Sequence, residues 1–439
     1  MRTVGLITEY NPFHNGHLHH LQESLRITGA DASVAVMSGH FLQRGEPALV
    51  DKWVRTEMAL AAGVDLVLEL PCPFACNSAP HFALGAVQTL NALGVVDALC
   101  FGSEAGEVAP LQAVAQLLVE KSAEIEVGTR ALLRCGVSYP AARAEVLSKL
   151  SPDLPSEVLA SPNNILGIEY LRALQMTSSQ MHAFTIPRLA VDYHSTDISG
   201  PIASATGIRK LISEGGSADG LLPSVCFELL QEALAEGFES DPERLFTALQ
   251  TLLLQEVESL RGIYHVADGL EQRLVDAAMT ATSYAELADA VKSRQWTLTR
   301  IQRLLVYVLL QLSNEEMRGF LQQGPMYLRL LGATSKGREV LAKARSKKSL
   351  PMISDPARAK ANLRRFYSSQ PDSGRMAERM LACDLRATRL YGLLQTTRQR
   401  SIAIRTFFRL FGKLECINSI WLSIGLNLSS DCKIRDHLN

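Results

Sequence analysis

The chain of 439 residues is long enough for two or three domains, and 47% hydrophobic with 20% charged residues is an ordinary globular balance. A formal net charge of −1 excludes a polybasic coat or an acidic tail, so any nucleic-acid surface has to be a local patch. The longest clean apolar run, residues 304–310, is too short to cross a bilayer, and residues 1–9 do not form a signal peptide. Eight scattered cysteines without a CxxC pair read as reduced thiols of a cytoplasmic protein, with Cys72 and Cys76 as loop thiols rather than metal ligands.

Near-continuous apolar runs at residues 4–8, 33–37, 64–70 and 96–101 predict strands buried on both faces. Helix-length segments at 53–62, 82–93 and 108–120 alternate with them, and a short strand-like run covers 184–186. Alternation of this kind predicts an α/β fold with a doubly wound parallel sheet, whose ligands bind beyond the carboxyl ends of the strands. The character changes after about residue 215. Residues 224–237 carry the helical stripe Val225, Leu229, Leu230, Ala233 and Leu234. Asp241 and Pro242 predict an N-cap and first-turn proline opening a helix through residue 260, and helical patterns continue over 270–322. The expected organisation is a catalytic domain at 1–215, a mainly α-helical domain at 216–395, and a tail at 396–439 of unassigned role.

Between residues 327 and 366, eleven Lys and Arg face only Glu339 and Asp355. Most such runs are solvated faces, but Tyr327, Phe366 and Tyr367 interleave with the charges and favour an RNA contact. Lys336, Arg338, Lys343, Arg345, Lys347, Lys348, Arg364 and Arg365 are the candidates for holding phosphates.

Five of the ten histidines lie in the first forty residues, and the core of this cluster is His14-Asn15-Gly16-His17. It follows the first predicted strand, and a helix is expected from Leu18 onward. Backbone N–H groups at a helix start attract anions, and imidazoles there can donate to phosphate oxygens. A metal site would need His on a regular helix face, which Asn15-Gly16 is expected to interrupt, so no metal ligands are assigned. Taken alone, Ser204-Ala205-Thr206-Gly207-Ile208-Arg209 reads as an ordinary N-cap and a surface arginine.

A strand followed by a His-x-Gly-His loop that opens a helix resembles the nucleotidyltransferase superfamily that includes class I aminoacyl-tRNA synthetases. The longer string Gly5-Leu6-Ile7-Thr8-Glu9-Tyr10-Asn11-Pro12-Phe13-His14-Asn15-Gly16-His17 is similar to the bacterial tRNA(Met) cytidine acetate ligase family. Ser38-Gly39-His40-Phe41-Leu42-Gln43-Arg44-Gly45-Glu46-Pro47, Phe101-Gly102-Ser103-Glu104, Ser161-Pro162-Asn163-Asn164-Ile165-Leu166-Gly167 and the Ser204–Arg209 stretch agree in order, over roughly residues 1–395.

The resemblance implies a Rossmann-like, HIGH-type ATP-binding domain. It implies ATP contacts along Ile7 to His17, continuing through Leu18, His19 and His20, and at Gly102, Asn163 and Arg188. It also implies activation of acetate as acetyl-adenylate, and transfer of acetyl to cytidine 34 of elongator tRNA(Met). Attack on the α-phosphorus spreads negative charge over the triphosphate, which calls for fixed positive dipoles more than for an acid–base pair. His14 and His17 are the candidates for that role, with Arg209, Ser204 and Thr206 on the leaving phosphates. Magnesium is expected to arrive with ATP, since no carboxylate cage is visible. No membrane or DNA partner is expected. A small-molecule adenylyltransferase and a non-catalytic RNA-binding protein on the same fold are the rival readings.

Overall fold

The computed structural model describes residues 1–152, 158–159, 161–188, 203–255, 257–267, 269–294 and 296–396. The expected tail, with Arg398, Arg400, Arg405 and Arg409, lies beyond the described residues.

Seven strands form one sheet: β1 (Thr3–Thr8), β2 (Ala32–Ser38), β3 (Leu66–Leu70), β4 (Ala98–Ser103), β5 (His182–Pro187), β6 (Leu328–Ala333) and β7 (Met352–Ile353). Their order is β5-β4-β1-β2-β3-β6-β7, and the first five run parallel. The apolar runs are continuous because both faces are buried. Val34, Val36, Leu66, Leu68, Leu99 and Phe101 enter one core, while Val4, Leu6, Ala35, Met37, Val67, Ala98 and Cys100 enter the other. Full burial of each larger side chain contributes on the order of 1.5–3 kcal/mol. From β1 the chain winds outward through β2 to β3, then returns to the other side of β1 for β4 and β5. This reversal opens a crevice beyond the ends of β1 and β4, where open α/β sheets bind ligands.

The sheet spans the boundary expected near residue 215. Residues Met1–Arg398 form one compact unit, because β6 pairs antiparallel with β3 and β7 extends the same sheet. The intervening stretch is mainly helical as expected, although the helix opened by Asp241 ends at Leu253 and only a short turn covers Val257–Leu260.

Buried polar contacts hold the late strand in place. Lys52 Nζ donates to both oxygens of Glu69 at 2.7 and 2.8 Å, and Arg329 Nε reaches Glu69 at 3.0 Å, all three residues being buried. Arg329 therefore belongs to the core and not to the basic surface. Tyr327 Oη donates to Asp384 at 2.6 Å, and Asp384 accepts from Cys72 N–H at 2.8 Å, tying the helix Pro371–Leu394 to the sheet. Cys72 accordingly opens a buried helical turn, Cys72–Ala75, rather than lying in a loop, and Cys76 follows that turn, also buried.

Candidate active site

The loop after β1 is shaped from beneath by Arg55, a fully buried guanidinium. It donates to the carbonyls of Glu9 at 2.7 Å, Ser38 at 3.1 Å, Val50 at 3.1 Å and Gly39, so its burial is matched by acceptors. Phe13 is wholly buried against Tyr10, ring centres 4.7 Å apart, and Asn11 Oδ1 accepts from Leu49 N–H at 2.7 Å. These contacts aim His14 at the start of the helix Asn15–Thr28.

That helix begins three residues earlier than its sequence suggests, because His14 is its N-cap. Nδ1 of His14 accepts from Gly16 N–H at 3.0 Å, and Nδ1 of His17 accepts from His14 N–H at 3.3 Å. The two rings stack with centres 3.8 Å apart. An Nδ1 that accepts cannot carry the proton, so each neutral ring holds its hydrogen on Nε2. Burial, with Arg188 and Arg209 adding to it, holds His14 down to about 3. Burial and the neighbouring histidines likewise depress His17, and burial with Arg188 takes His20 to about 4. The site therefore offers neutral N–H donors, not imidazolium cations. The helix's first N–H groups are already engaged, Asn15 with the Leu221 carbonyl at 3.0 Å and Gly16 with His14. Anion contact falls to the side chains rather than to the bare helix end.

A second wall comes from β4 and the helix Pro162–Met176. The Glu104 carboxylate accepts from the Asn163 side-chain amide at 2.6 Å and from Asn164 N–H at 2.8 Å. Asn163 Oδ1 in turn accepts from Arg188 Nη1 at 2.7 Å. A third wall is the helix Ala205–Ser213, capped by Ser204, which accepts from Gly207 N–H at 3.0 Å. Its Arg209 donates to the Asn11 carbonyl at 3.0 Å and to Thr206 at 3.4 Å, and pairs with Glu46 at 3.7 Å. Glu9 is held by Gln43 N–H at 2.8 Å, and burial raises its carboxyl against the pull of that bond, Arg209 and Arg55.

Together these walls enclose one cavity at the topological switch point. Of the expected ATP and catalytic residues, Ile7, Thr8, Glu9, Tyr10, Asn11, His14, Gly16, His17, His19, His20, Gly102, Asn163, Arg188, Ser204, Thr206 and Arg209 line it. Pro12, Phe13, Asn15 and Leu18 do not. Phe13 anchors the loop in the core, and Asn15 Nδ2 donates to the Gly220 carbonyl at 2.8 Å. Phe82, Leu166, Tyr170 and Ile186 add an apolar lining that sequence reasoning missed, since nothing distinguishes them from core residues. Asn11 Nδ2 and His20 Nε2 are buried, belong to lining residues and have no hydrogen-bond partner among the described residues. Such polar atoms call for a polar ligand.

The family model for HIGH Nucleotidyl Transferase matches residues 1–403. The tRNA(Met) cytidine acetate ligase of Syntrophotalea carbinolica is 52% identical over 396 residues, covering 90% of this chain and 94% of the relative. The chain belongs to the tRNA(Met) cytidine acetate ligase family. The ligase of that name from Acetivibrio thermocellus is 44% identical over 80% of this chain and 88% of its own. Thermotoga maritima TmcAL bound with alpha-thio ATP superposes with a TM-score of 0.84 at 34% identity, covering 91% of this chain and 96% of the other. Its apo form gives 0.86, covering 93% and 98%.

In this member of the cytidine acetate ligase family the basic segment lies away from the cavity. Thr334 N–H donates to the Asp65 carbonyl, Lys343 Nζ to the Met1 carbonyl and Ser349 N–H to the Ala92 carbonyl, at 2.8, 2.9 and 2.9 Å. Those partners mark the amino ends of the strands, whereas the cavity sits at their carboxyl ends. Lys336, Arg345, Lys347 and Arg365 are exposed and Arg338 and Lys348 half-buried, while Arg364 is paired with Glu378 at 2.7 Å. No group of three His, Cys, Asp or Glu able to hold a metal ion occurs among the described residues. No described helix is long and apolar enough to cross a membrane.

Proposed function

We propose that this chain is an ATP-dependent RNA-modifying ligase that acts in the cytoplasm, forming N4-acetylcytidine at position 34 of elongator tRNA(Met). The reading rests on one observation above the others. Two neutral imidazoles with their hydrogens on Nε2 and the Arg209 guanidinium converge on a cavity at the switch point, beside buried donors that lack partners.

In the first step a carboxylate oxygen of acetate bonds to the α-phosphorus of ATP. The bond from that phosphorus to its bridging oxygen breaks, and pyrophosphate leaves with the electron pair. His14 and His17 donate to the phosphate oxygens on which charge accumulates, and Arg209 neutralises the leaving group. Fixed donors of this kind need little reorganisation as the charge develops. Gly102, Asn163 and Arg188 would contact ATP from the second wall, with Glu104 fixing the amide of Asn163. In the second step the cytidine amine attacks the acetyl carbonyl carbon, and AMP departs as the anhydride bond breaks and the amine loses a proton. Magnesium would enter as the ATP complex, because the described residues offer no cage of their own. The exposed cations Lys336, Arg345 and Lys347, with the half-buried Arg338 and Lys348, would meet only a part of a long substrate distant from the reacting base.

Acetate-dependent exchange of labelled pyrophosphate into ATP, with and without tRNA, tests the reading. Exchange supported by acetate is the expected result. Exchange supported only by another carboxylate or phosphorylated acceptor would establish a small-molecule adenylyltransferase, and RNA binding without any exchange a non-catalytic protein.

A further inference from the structure

Beside the cavity, on the flank of the Gln43 loop, cations and aromatic rings lie interleaved. From Asp289 to Glu315 the intervening chain carries Lys292, Arg294, Arg300 and Arg303 and no Asp or Glu. The Arg300 guanidinium lies 3.8 Å from the centre of the Trp296 ring. Nearby, Tyr264 stacks on His265 with ring centres 4.0 Å apart and planes within 30°. His265 holds a left-handed backbone at φ +68°, a conformation that side chains with a Cβ rarely adopt outside constrained sites. Arg300, Arg303 and Arg318 all lie close enough for their charges to act on the Tyr264 phenol. Burial, with Arg300 and Arg303 after it, holds His265 down to about 4, so its ring stays neutral.

This ledge is continuous with the cavity. Arg303 Nη1 donates to the Gln43 carbonyl at 3.3 Å and Gln302 Nε2 to Glu46 at 3.2 Å, and Gln43 and Glu46 are themselves lining residues. Trp296, Arg300, Tyr264 and His265 are half-buried, whereas Arg294 and Arg318 are exposed. An acidic peptide would use the cations but leave the ring planes idle. A duplex would offer phosphates while keeping its bases stacked away. Unstacked bases on a flexible phosphate chain use both.

We propose that this ledge seats the bases and phosphates of a single-stranded RNA loop next to the base that enters the cavity. The proposal rests on the RNA-modifying reading above, and it places the loop contact here rather than on the basic segment at the other end of the sheet.

The full chain would be titrated with an RNA hairpin reproducing the anticodon arm of elongator tRNA(Met), and with the same stem as a plain duplex, over a range of salt. Replacing Arg294 and Arg318 together with Ala should weaken hairpin binding about tenfold and flatten the slope of log affinity against log salt by about 1.4, two single-strand phosphates' worth. Trp296→Leu should cost the hairpin roughly 5- to 100-fold, far more than the duplex, and Trp296→Phe, which keeps a ring, should restore most of it. Acetate-dependent exchange should stay within about twofold of the parent in each, since none of these residues lines the adenylation cavity. Unchanged hairpin affinity and slope in the double variant would overturn the proposal. So would equal losses for hairpin and duplex, or a greater loss on replacing Lys343, Lys347 and Lys348 with Ala. Absence of exchange in the unsubstituted chain would instead sink the ligase reading, while the binding comparison would still decide the ledge.

Discussion

His17 works in two directions. Its Nδ1 closes the helix cap by accepting from His14 N–H, and its ring lines the cavity. His17→Ala should therefore cost about 0.5–2 kcal/mol of stability through the lost cap. Acetyl-adenylate formation should fall by about 10²–10³, the usual cost of one charge-stabilising donor. Thermal unfolding measured beside adenylate formation separates the two, and near-normal chemistry in a folded variant would remove His17 from the mechanism. The buried imidazoles also set a pH dependence. Unfolded histidines titrate near 6.5, whereas folded His14 and His20 sit at about 3 and about 4. Above pH 6.5 both states are neutral. As the pH falls below that value the unfolded chain binds protons that the folded chain refuses, and stability declines toward the folded values. His20→Gln should make the drop in unfolding midpoint between pH 7 and pH 5 shallower. An identical drop in parent and variant would mean that His20 does not contribute.

At the scale of elements, the loop of Leu42 to Glu46 and the helix Leu298–Leu309 fit against each other through a missing side chain. Gly45 has φ +85°, and a Cβ there would lie 2.1 Å from the Arg303 backbone nitrogen. Gly45→Ala should push the loop off the helix, loosen the Gln43 N–H that holds Glu9, and lower the unfolding midpoint. It should also impair transfer to tRNA more than pyrophosphate exchange. Equal effects on both steps would separate the loop from the RNA side of the site. The parallel strands were legible because burial on both faces writes them as unbroken apolar runs. β6 was not, because Arg329 interrupts it, and the carboxylate that neutralises that charge lies on β3, far back in the sequence. The helix start was misjudged for a similar reason. Imidazole is not among the usual capping groups, so Asn15-Gly16 looked like an interruption when it is the first turn.

For the molecule as a whole, the sheet is completed only when the late strands arrive. A fragment ending near residue 215 would lack β6, leaving Glu69 and Lys52 without Arg329 and the edge of β3 uncovered. Removing one member of a buried charge cluster typically costs about 3–5 kcal/mol, so the fragment should aggregate. A soluble fragment that bound ATP would show that the parallel strands stand alone. The cavity lining was largely readable from the His-x-Gly-His string and its companions, because each contributes a polar residue at a strand end or a helix start. The position of the basic segment was not readable, since composition carries no record of which end of a strand a helix docks against.

The antiparallel seat of β6 beside β3 has a consequence for how the chain is made. β3 leaves the ribosome early, and at roughly 5–20 residues per second its neighbour follows only after tens of seconds of further synthesis. Throughout that interval the nascent protein presents a hydrophobic border, with the Lys52–Glu69 pair in its midst still lacking Arg329. Native-like ATP affinity should therefore emerge late in translation and abruptly, and the growing polypeptide should depend on chaperone cover until β6 has cleared the exit tunnel.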